Sequence, residues 1–250
     1  MANVYYGDTI SPATGNWNTV SNWYSSIGSY SYNCCGCPTA NPGTPLGRLP
    51  NPSTDTVILA SAGDDSGQYS LNITMTTPPT GGYSGPVLSL IGDTYGCNFT
   101  ISTGSFSGSI NVGRGCTITA GTFTGVITMG TYTGIGNYYG GGTISGGTFS
   151  NTVTMPNLPA STQYLVSLPT ISGGTFTGLV VRANPNIYTN KISGGTYSVS
   201  QTVTYNTTTK LFTNFPVDPG FAVGGGTFSP IVTISNLPSG GTSILGAGFP

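Results

Sequence analysis

The sequence predicts an all-β chain: a parallel β-solenoid or β-helix of about six to eight irregular rungs, headed by an N-terminal capping module. Three observations predict it. An octet, clearest as Thr143-Ile144-Ser145-Gly146-Gly147-Thr148-Phe149-Ser150, recurs six times in 250 residues. After each aromatic, apolar residues fall at even offsets and the residue at offset five is Asn111, Thr128, Thr154, Val181, Thr202 or Thr233, so the opposite face is mostly Thr, which is the alternation of a half-buried strand. A Gly pair, Gly146-Gly147 in the clearest copy, stands where the chain must turn between the aliphatic and the aromatic position.

The repeat can be justified position by position. Its aromatic is Phe106, Phe123, Phe149, Phe176, Tyr197 or Phe228. Five residues earlier stands Ile101, Ile118, Ile144, Ile171, Ile192 or Val223. Four residues later stands Ile110, Ile127, Val153, Val180, Gln201 or Val232, and six later Val112, Met129, Met155, Arg182, Val203 or Ile234. Gln201 and Arg182 are the exceptions. Two side chains five apart on a straight strand point to opposite faces. A Gly pair between them accepts positive φ and turns the chain, so both reach one interior. In a solenoid that pair is a corner, and like residues stack from rung to rung. In the alternative, an antiparallel β-meander or sandwich, it is a two-residue hairpin loop. Stacking is favoured, because a single rung cannot bury its own face and needs copies of itself. Successive aromatics lie 17 to 31 residues apart, so the rungs carry unequal loops, expected at about 130–141, 156–169, 183–190 and 206–220.

Residues 1–60 read as a cap or attachment module, and 61–250 as the repetitive domain with an apolar C-terminal tail. The first segment holds both tryptophans, three of the five cysteines and a Pro-rich run from Pro38 to Pro52. A first rung exposes a sheet edge and an apolar end. Trp17 and Trp23 are candidate lids for it; the alternative makes them the core of a small separate β module. Strands are expected at Val57–Ala60 and Tyr69–Met75, a turn at 78–82, and a first strand of the repetitive region at Val87–Ile91. The tail 244–250 is expected to close the last rung or dock on a neighbouring subunit.

A family resemblance rests on two sets of residues. Gly15-Asn16-Trp17, Asn22-Trp23 and Pro52-Ser53-Thr54-Asp55-Thr56-Val57-Ile58 resemble the opening segment of many β-solenoid surface and virion proteins. The Ile-Ser-Gly-Gly-Thr-Phe repeats resemble those of phage and bacterial β-solenoid fibres. The long insert Tyr24–Leu49 departs from that pattern. The resemblance implies a non-enzymatic structural virion protein, a capsid decoration or fibre-like component. Its implied partners are itself, as a homo-oligomer with a trimer favoured, and other virion proteins.

Composition narrows the function classes. Only 4% of residues are charged and the net charge is −1. No basic field exists to attract nucleic acid or an anionic membrane. No apolar run approaches the roughly 20 residues of a membrane helix. Nearly uncharged surfaces lack the repulsion that keeps monomers apart, so covering by copies or by a larger assembly is expected. The opening residues have neither the basic nor the apolar region of a secretory signal. With the resemblance above, this implies the virion surface after synthesis in a host cytoplasm as the expected location, or alternatively an extracellular surface.

Catalysis is not expected. Glycan cleavage needs paired carboxylates, and the acids here are only Asp8, Asp55, Asp64, Asp65, Asp93 and Asp218. No His or Glu is present for a nucleophile–base pair or a raised-pKa acid. No cofactor and no metal are assigned. Cys34, Cys35 and Cys37 with Cys97 or Cys116 match no common zinc spacing, and thiol, disulfide and metal states stay open. A glycan-binding adhesin or receptor-binding protein is the alternative function. Tyr138, Tyr139, Tyr164 and Tyr188 would then stack on sugar rings; subunit contact or loop packing is their simpler role. A subunit of an extracellular filament or surface layer shares the same physics.

Overall fold

A computed structural model describes residues 1–7, 14–26, 28–32, 38–59, 61–62, 72–88, 91–92, 98–113, 116–129, 131–132, 139–155, 165–167, 169–182, 191–198, 201–206, 211–213, 222–223, 227–228 and 232–235. It is all-β, with one 3-10 turn, Val20–Asn22, among the described residues. Three sheets run side by side, and each passage of the chain visits them in turn. In the clearest passage Thr143–Ile144 lies in the first, Thr148–Phe149 in the second and Val153–Met155 in the third. We call them the Ile, Phe and Val sheets.

In the Ile and Phe sheets the strand order is the sequence order, and in the Val sheet it is so from Ala2–Tyr6 onward, with Trp23–Ser26 and Thr44–Pro45 added outside that strand. The Ile sheet holds seven strands, from Asn72–Met75 to Ala222–Val223, and the Phe sheet six, from Ser105–Phe106 to Thr227–Phe228. The Val sheet holds nine, and all its pairings are parallel except two at its N-terminal edge. Successive passages therefore stack in a solenoid-like way. The Gly pair is a corner, not a hairpin loop, because the strands on either side of it belong to different sheets. The antiparallel meander is thereby corrected. Register is like on like: Ile118, Ile144, Ile171, Ile192 and Val223 in one row, and Phe123, Phe149, Phe176, Tyr197 and Phe228 in another.

The corners keep the hydrogen-bond ladder going. Ser145 N donates to Ile118 O at 2.8 Å, Thr148 N to Gly121 O at 2.8 Å and Ser150 N to Phe123 O at 3.0 Å. Each passage thus satisfies the polar backbone of the one before it, even where it bends. Gly147 ends the first corner with φ +99°, and a Cβ there would sit 3.2 Å from Phe123 Cε2 and 3.3 Å from Phe149 Cζ. A left-handed backbone and a shortage of room thus act at one position.

Inward side chains fill the interior. Ile144, Phe149, Val153 and Met155 are all buried. The rings of Phe106, Phe123, Phe149, Phe176 and Tyr197 form one column, with successive centroids 5.6, 4.9, 4.8 and 4.8 Å apart and planes 7–11° apart. From Phe123 to Tyr197 that spacing is the strand-to-strand distance. The near-parallel planes show that the ring keeps one orientation from passage to passage. Burying one Phe is worth about 1.5–3 kcal/mol, and each offset ring pair adds about 0.5–1.5 kcal/mol. A single corner hydrogen bond contributes about 1 kcal/mol, so each ring of the column stabilises its passage more than a corner bond does.

The structure has a further passage that lacks the octet. Met75 pairs with Ile101, Tyr83 bridges to Phe106, and Val87 pairs with Ile110. Tyr83 follows Met75 by eight residues rather than five, because Pro78 to Gly82 lengthen the corner. Several expected boundaries move with it. The strand expected at Val57–Ala60 is Asp55–Ile58, and the one at Tyr69–Met75 is Asn72–Met75, with 69–71 outside the described residues. Val87–Ile91 is two strands in different sheets, Val87–Leu88 and Ile91–Gly92, and it does not begin the stack.

Length variation collects at one corner, where the chain leaves the Val sheet for the Ile sheet. There it inserts 113–115, 130–142, 156–169 or 183–190, while the corners leading into and out of the Phe sheet are three residues long in these passages. Three of the expected loops contain strands. Thr131–Tyr132 pairs antiparallel with Tyr139–Gly140, which pairs parallel with Leu165–Ser167. Leu211–Thr213 pairs antiparallel with Gln201–Asn206. The loop at 183–190 lies outside the described residues.

Two glycines separate the causes of the corner. Gly81 has φ +77° but nothing within 4 Å of a Cβ, whereas Gly147 has both positive φ and two rings beside it. Gly81→Ala should cost about 1 kcal/mol for left-handed backbone, and Gly147→Ala an additional 1–3 kcal/mol or so for overpacking. Denaturant melts measure both. Equal losses would mean that ring contact does not constrain the corner.

Candidate functional site

Two regions lie outside the repeated interior: the N-terminal end and the outward faces. At the end, Ala2–Tyr6 pairs parallel with Asp55–Ile58 and antiparallel with Trp23–Ser26, which pairs antiparallel with Thr44–Pro45. A two-residue strand carrying Pro is a poor template for further pairing, so the sheet stops there. Gly15–Asn18 covers the first corner. Thr76 N donates to Gly15 O and Trp17 N to Thr77 O, both at 2.9 Å, and Asn18 Nδ2 donates to Pro78 O at 2.8 Å.

Aromatics weld this end to the stack. Trp17 lies 5.3 Å from Tyr83 and 5.9 Å from Phe106, the ring that heads the column. Trp23 lies 4.7 Å from both Tyr6 and Trp17, and its Nε1 donates to Trp17 O at 2.8 Å. Tyr6 meets Phe99 edge-on at 5.7 Å. One hydrophobic core runs from Val4 through these rings to Tyr197, and the Val sheet takes strands from both sides of position 60. Burial pushes the Tyr6 phenol far above its ordinary pKa. Buried Asn22 fastens the preceding loop by donating to Thr14 Oγ1 at 3.0 Å and Asn16 O at 2.8 Å.

Asp55 is buried at the start of its strand. Arg48 donates to it through Nη1 at 2.5 Å and Nη2 at 3.1 Å, Asn51 N at 2.8 Å, and Thr54 Oγ1 at 3.2 Å. The forked Arg48 contact holds the Asp55 carboxyl below the usual carboxylate range, against the opposing effect of burial. The Asp55 carbonyl accepts the Tyr83 hydroxyl at 3.1 Å, and burial pushes that phenol up to about 12. Asp55 is thus a clamp between the 48–54 loop and the first passages, its lone pairs engaged by four donors.

The proposed core residues Ile101, Phe106, Ile118, Phe123, Ile144, Phe149, Ile171, Phe176, Ile192 and Tyr197 are all buried. Val223 and Phe228 hold the corresponding strand positions. Tyr139 lies in the strand Tyr139–Gly140, while Tyr138, Tyr164 and Tyr188 fall outside the described residues. Cys116 is a buried thiol; Cys34, Cys35, Cys37 and Cys97 fall outside the described residues. Among the described residues, no three His, Cys, Asp or Glu side chains converge.

The most open face belongs to the Phe sheet. Ser105, Thr122, Thr148, Thr175, Thr196 and Thr227 precede the aromatics, Ser107, Thr124, Ser150, Thr177 and Ser198 follow them, and all are exposed. On the Ile sheet Thr100, Thr117, Thr143 and Thr170 are half-buried, as are Thr128 and Thr154 on the Val sheet. The signal for this face is present in the octet, whose Thr-Phe-Ser/Thr centre sends two hydroxyl residues outward for each ring inward. No protein-family model, no curated protein and no solved structure matches this chain.

Asp55→Asn should lower stability at neutral pH by about 1.5–3 kcal/mol, the worth of hydrogen bonds to a charged group. The folded carboxyl titrates below its unfolded value of about 3.9, so its contribution is complete above that value and is lost as pH falls through the folded one. Denaturation midpoints of wild type and variant should converge below about pH 4. A gap unchanged to low pH would mean that charge plays no part in the clamp.

Proposed function

We propose that this chain is a β-solenoid structural component of a virion, a capsid-decorating or fibre-like subunit that acts by shape and self-association rather than by catalysis. The observation that carries the reading is the like-on-like stack. Inward positions of successive passages are occupied by one another's side chains, which builds a stiff body. Outward positions of the Phe sheet carry neutral Thr and Ser. Such a body suits display, and the inserts gathered at one corner are what it displays. The resemblance of the Ile-Ser-Gly-Gly-Thr-Phe repeats to phage fibre repeats gives the reading its virion setting. Its partners are copies of itself, with a homotrimer favoured, and other virion proteins. A net charge of −1 gives nucleic acid and anionic membranes no electrostatic purchase.

One observation favours a second reading, glycan binding. The insert strands set Tyr132 and Tyr139 opposite each other, with Leu165–Ser167 alongside. Aromatic residues at paired strand positions are a starting point for a sugar-stacking surface.

Light scattering with small-angle X-ray scattering on the recombinant chain distinguishes the two. An elongated homotrimer is the expected result. A compact, stable monomer that binds a glycan array, and loses that binding on Tyr139→Ala, would contradict the structural reading and support the second.

A further inference from the structure

We propose that the outer face of the Phe sheet is an ice-binding surface, a property that goes beyond the structural role above and does not rest on it. The face carries two parallel ranks of hydroxyl residues. One is Ser105, Thr122, Thr148, Thr175, Thr196 and Thr227; the other is Ser107, Thr124, Ser150, Thr177 and Ser198. All are exposed, none is charged, and one residue from each rank flanks each ring from Phe106 to Tyr197.

Two repeats define the array. Along the stack the step is the ring spacing, 4.8–4.9 Å over the four passages from Phe123 to Tyr197. Across a strand, residues two apart lie about 6.6 Å apart. Both repeats are close to oxygen–oxygen repeats on the prism faces of hexagonal ice. Register decides whether the match extends beyond one or two side chains. It is kept without a shift from Ser105–Phe106 to Thr227–Phe228, so equivalent residues stand opposite each other on every neighbouring pair of strands. The hydrogen-bond ladder also includes both ranks, with Thr148 N donating to Gly121 O and Ser150 N to Phe123 O.

The chemistry suits an ordered, neutral partner. Thr is stiff at χ1 and presents a methyl beside a hydroxyl. Equivalent Thr residues on equivalent passages meet the same neighbours, so their hydroxyls repeat with the backbone. No ammonium, guanidinium or carboxylate interrupts the ranks to hold water in a competing arrangement. The other faces lack the pattern. Their Thr residues are half-buried, the Val sheet row continues into Val181, and the Ile sheet row continues into Lys191. A subunit interface would call for an apolar core at its centre, which these hydroxyl ranks do not offer.

The test uses the full chain, frozen slowly onto a cold surface, with the protein in the ice fraction measured and thermal hysteresis recorded. Wild type should be incorporated into ice and hold crystals below the melting point. The double variant Thr148→Lys/Thr175→Lys places charge at the centre of the face and should be excluded from ice. Val126→Lys, at an exposed corner position beside the ranks, should behave as wild type. Circular dichroism and denaturant melts check that each variant is folded. Exclusion of wild type from ice would overturn the proposal, and so would an equal loss in Val126→Lys. A face that instead joins subunits or holds a glycan would leave wild type outside the ice, while the double variant lost oligomer mass or glycan binding. Oligomer mass is read separately, so failure here leaves the structural role standing or falling on its own result.

Discussion

The architecture depends on one contact repeated: a phenyl ring lying on the ring of the previous passage at the distance between hydrogen-bonded strands. Phe149 sits 4.9 Å from Phe123 and 4.8 Å from Phe176. A strand of two residues, such as Thr148–Phe149, has too few backbone bonds to fix its own position. The ring fixes it, because a one-residue slip would turn Phe149 outward and bring Thr148 into the interior. The ring also dictates the corner. Gly147 must leave room for Phe123 and Phe149 while adopting φ +99°, and no other residue type meets both demands without strain.

From that contact follows a division of labour around each passage. After the first passage, whose corner Pro78–Gly82 is longer, corners bounded by the ring column stay short, and the corner away from it absorbs the changes of length. Inserts there pair with inserts of neighbouring passages, as Tyr139–Gly140 does with Leu165–Ser167. Sequence variation is thus tolerated where it does not touch the column. At the N-terminal end the same interior continues into Trp17, Trp23 and Tyr6, so the capping strands share one core with the stack. Asp55 and Arg48 fasten the last loop before the stack, in a chain with few charges to use.

The column and the Ile row are legible in the sequence because their spacing is strict: five residues from aliphatic to aromatic, in six copies. The first passage is not, because Pro78–Gly82 stretch that interval to eight and Met75 and Tyr83 replace Ile and Phe. Strands such as Thr131–Tyr132 look like loop, since a two-residue strand formed by pairing with a distant insert has no period of its own. The Asp55 clamp is equally hidden. Its carboxylate draws donors from Arg48, Asn51 and Thr54, and nothing in the local pattern distinguishes it from a turn aspartate. The hydroxyl ranks are written in every octet, but their exposure depends on how the three sheets close.

Residue-resolved amide hydrogen exchange tests the account most directly. If the ring column holds the passages in register, the amides of Thr148 and Thr175, which donate to Gly121 O and Gly147 O, should be among the slowest in the chain. They should exchange together, with rates set by global unfolding, and protection should fall toward the ends of the stack. Independent, fast exchange at these two amides would contradict it, since the central passages would then open one at a time without regard to the rings between them.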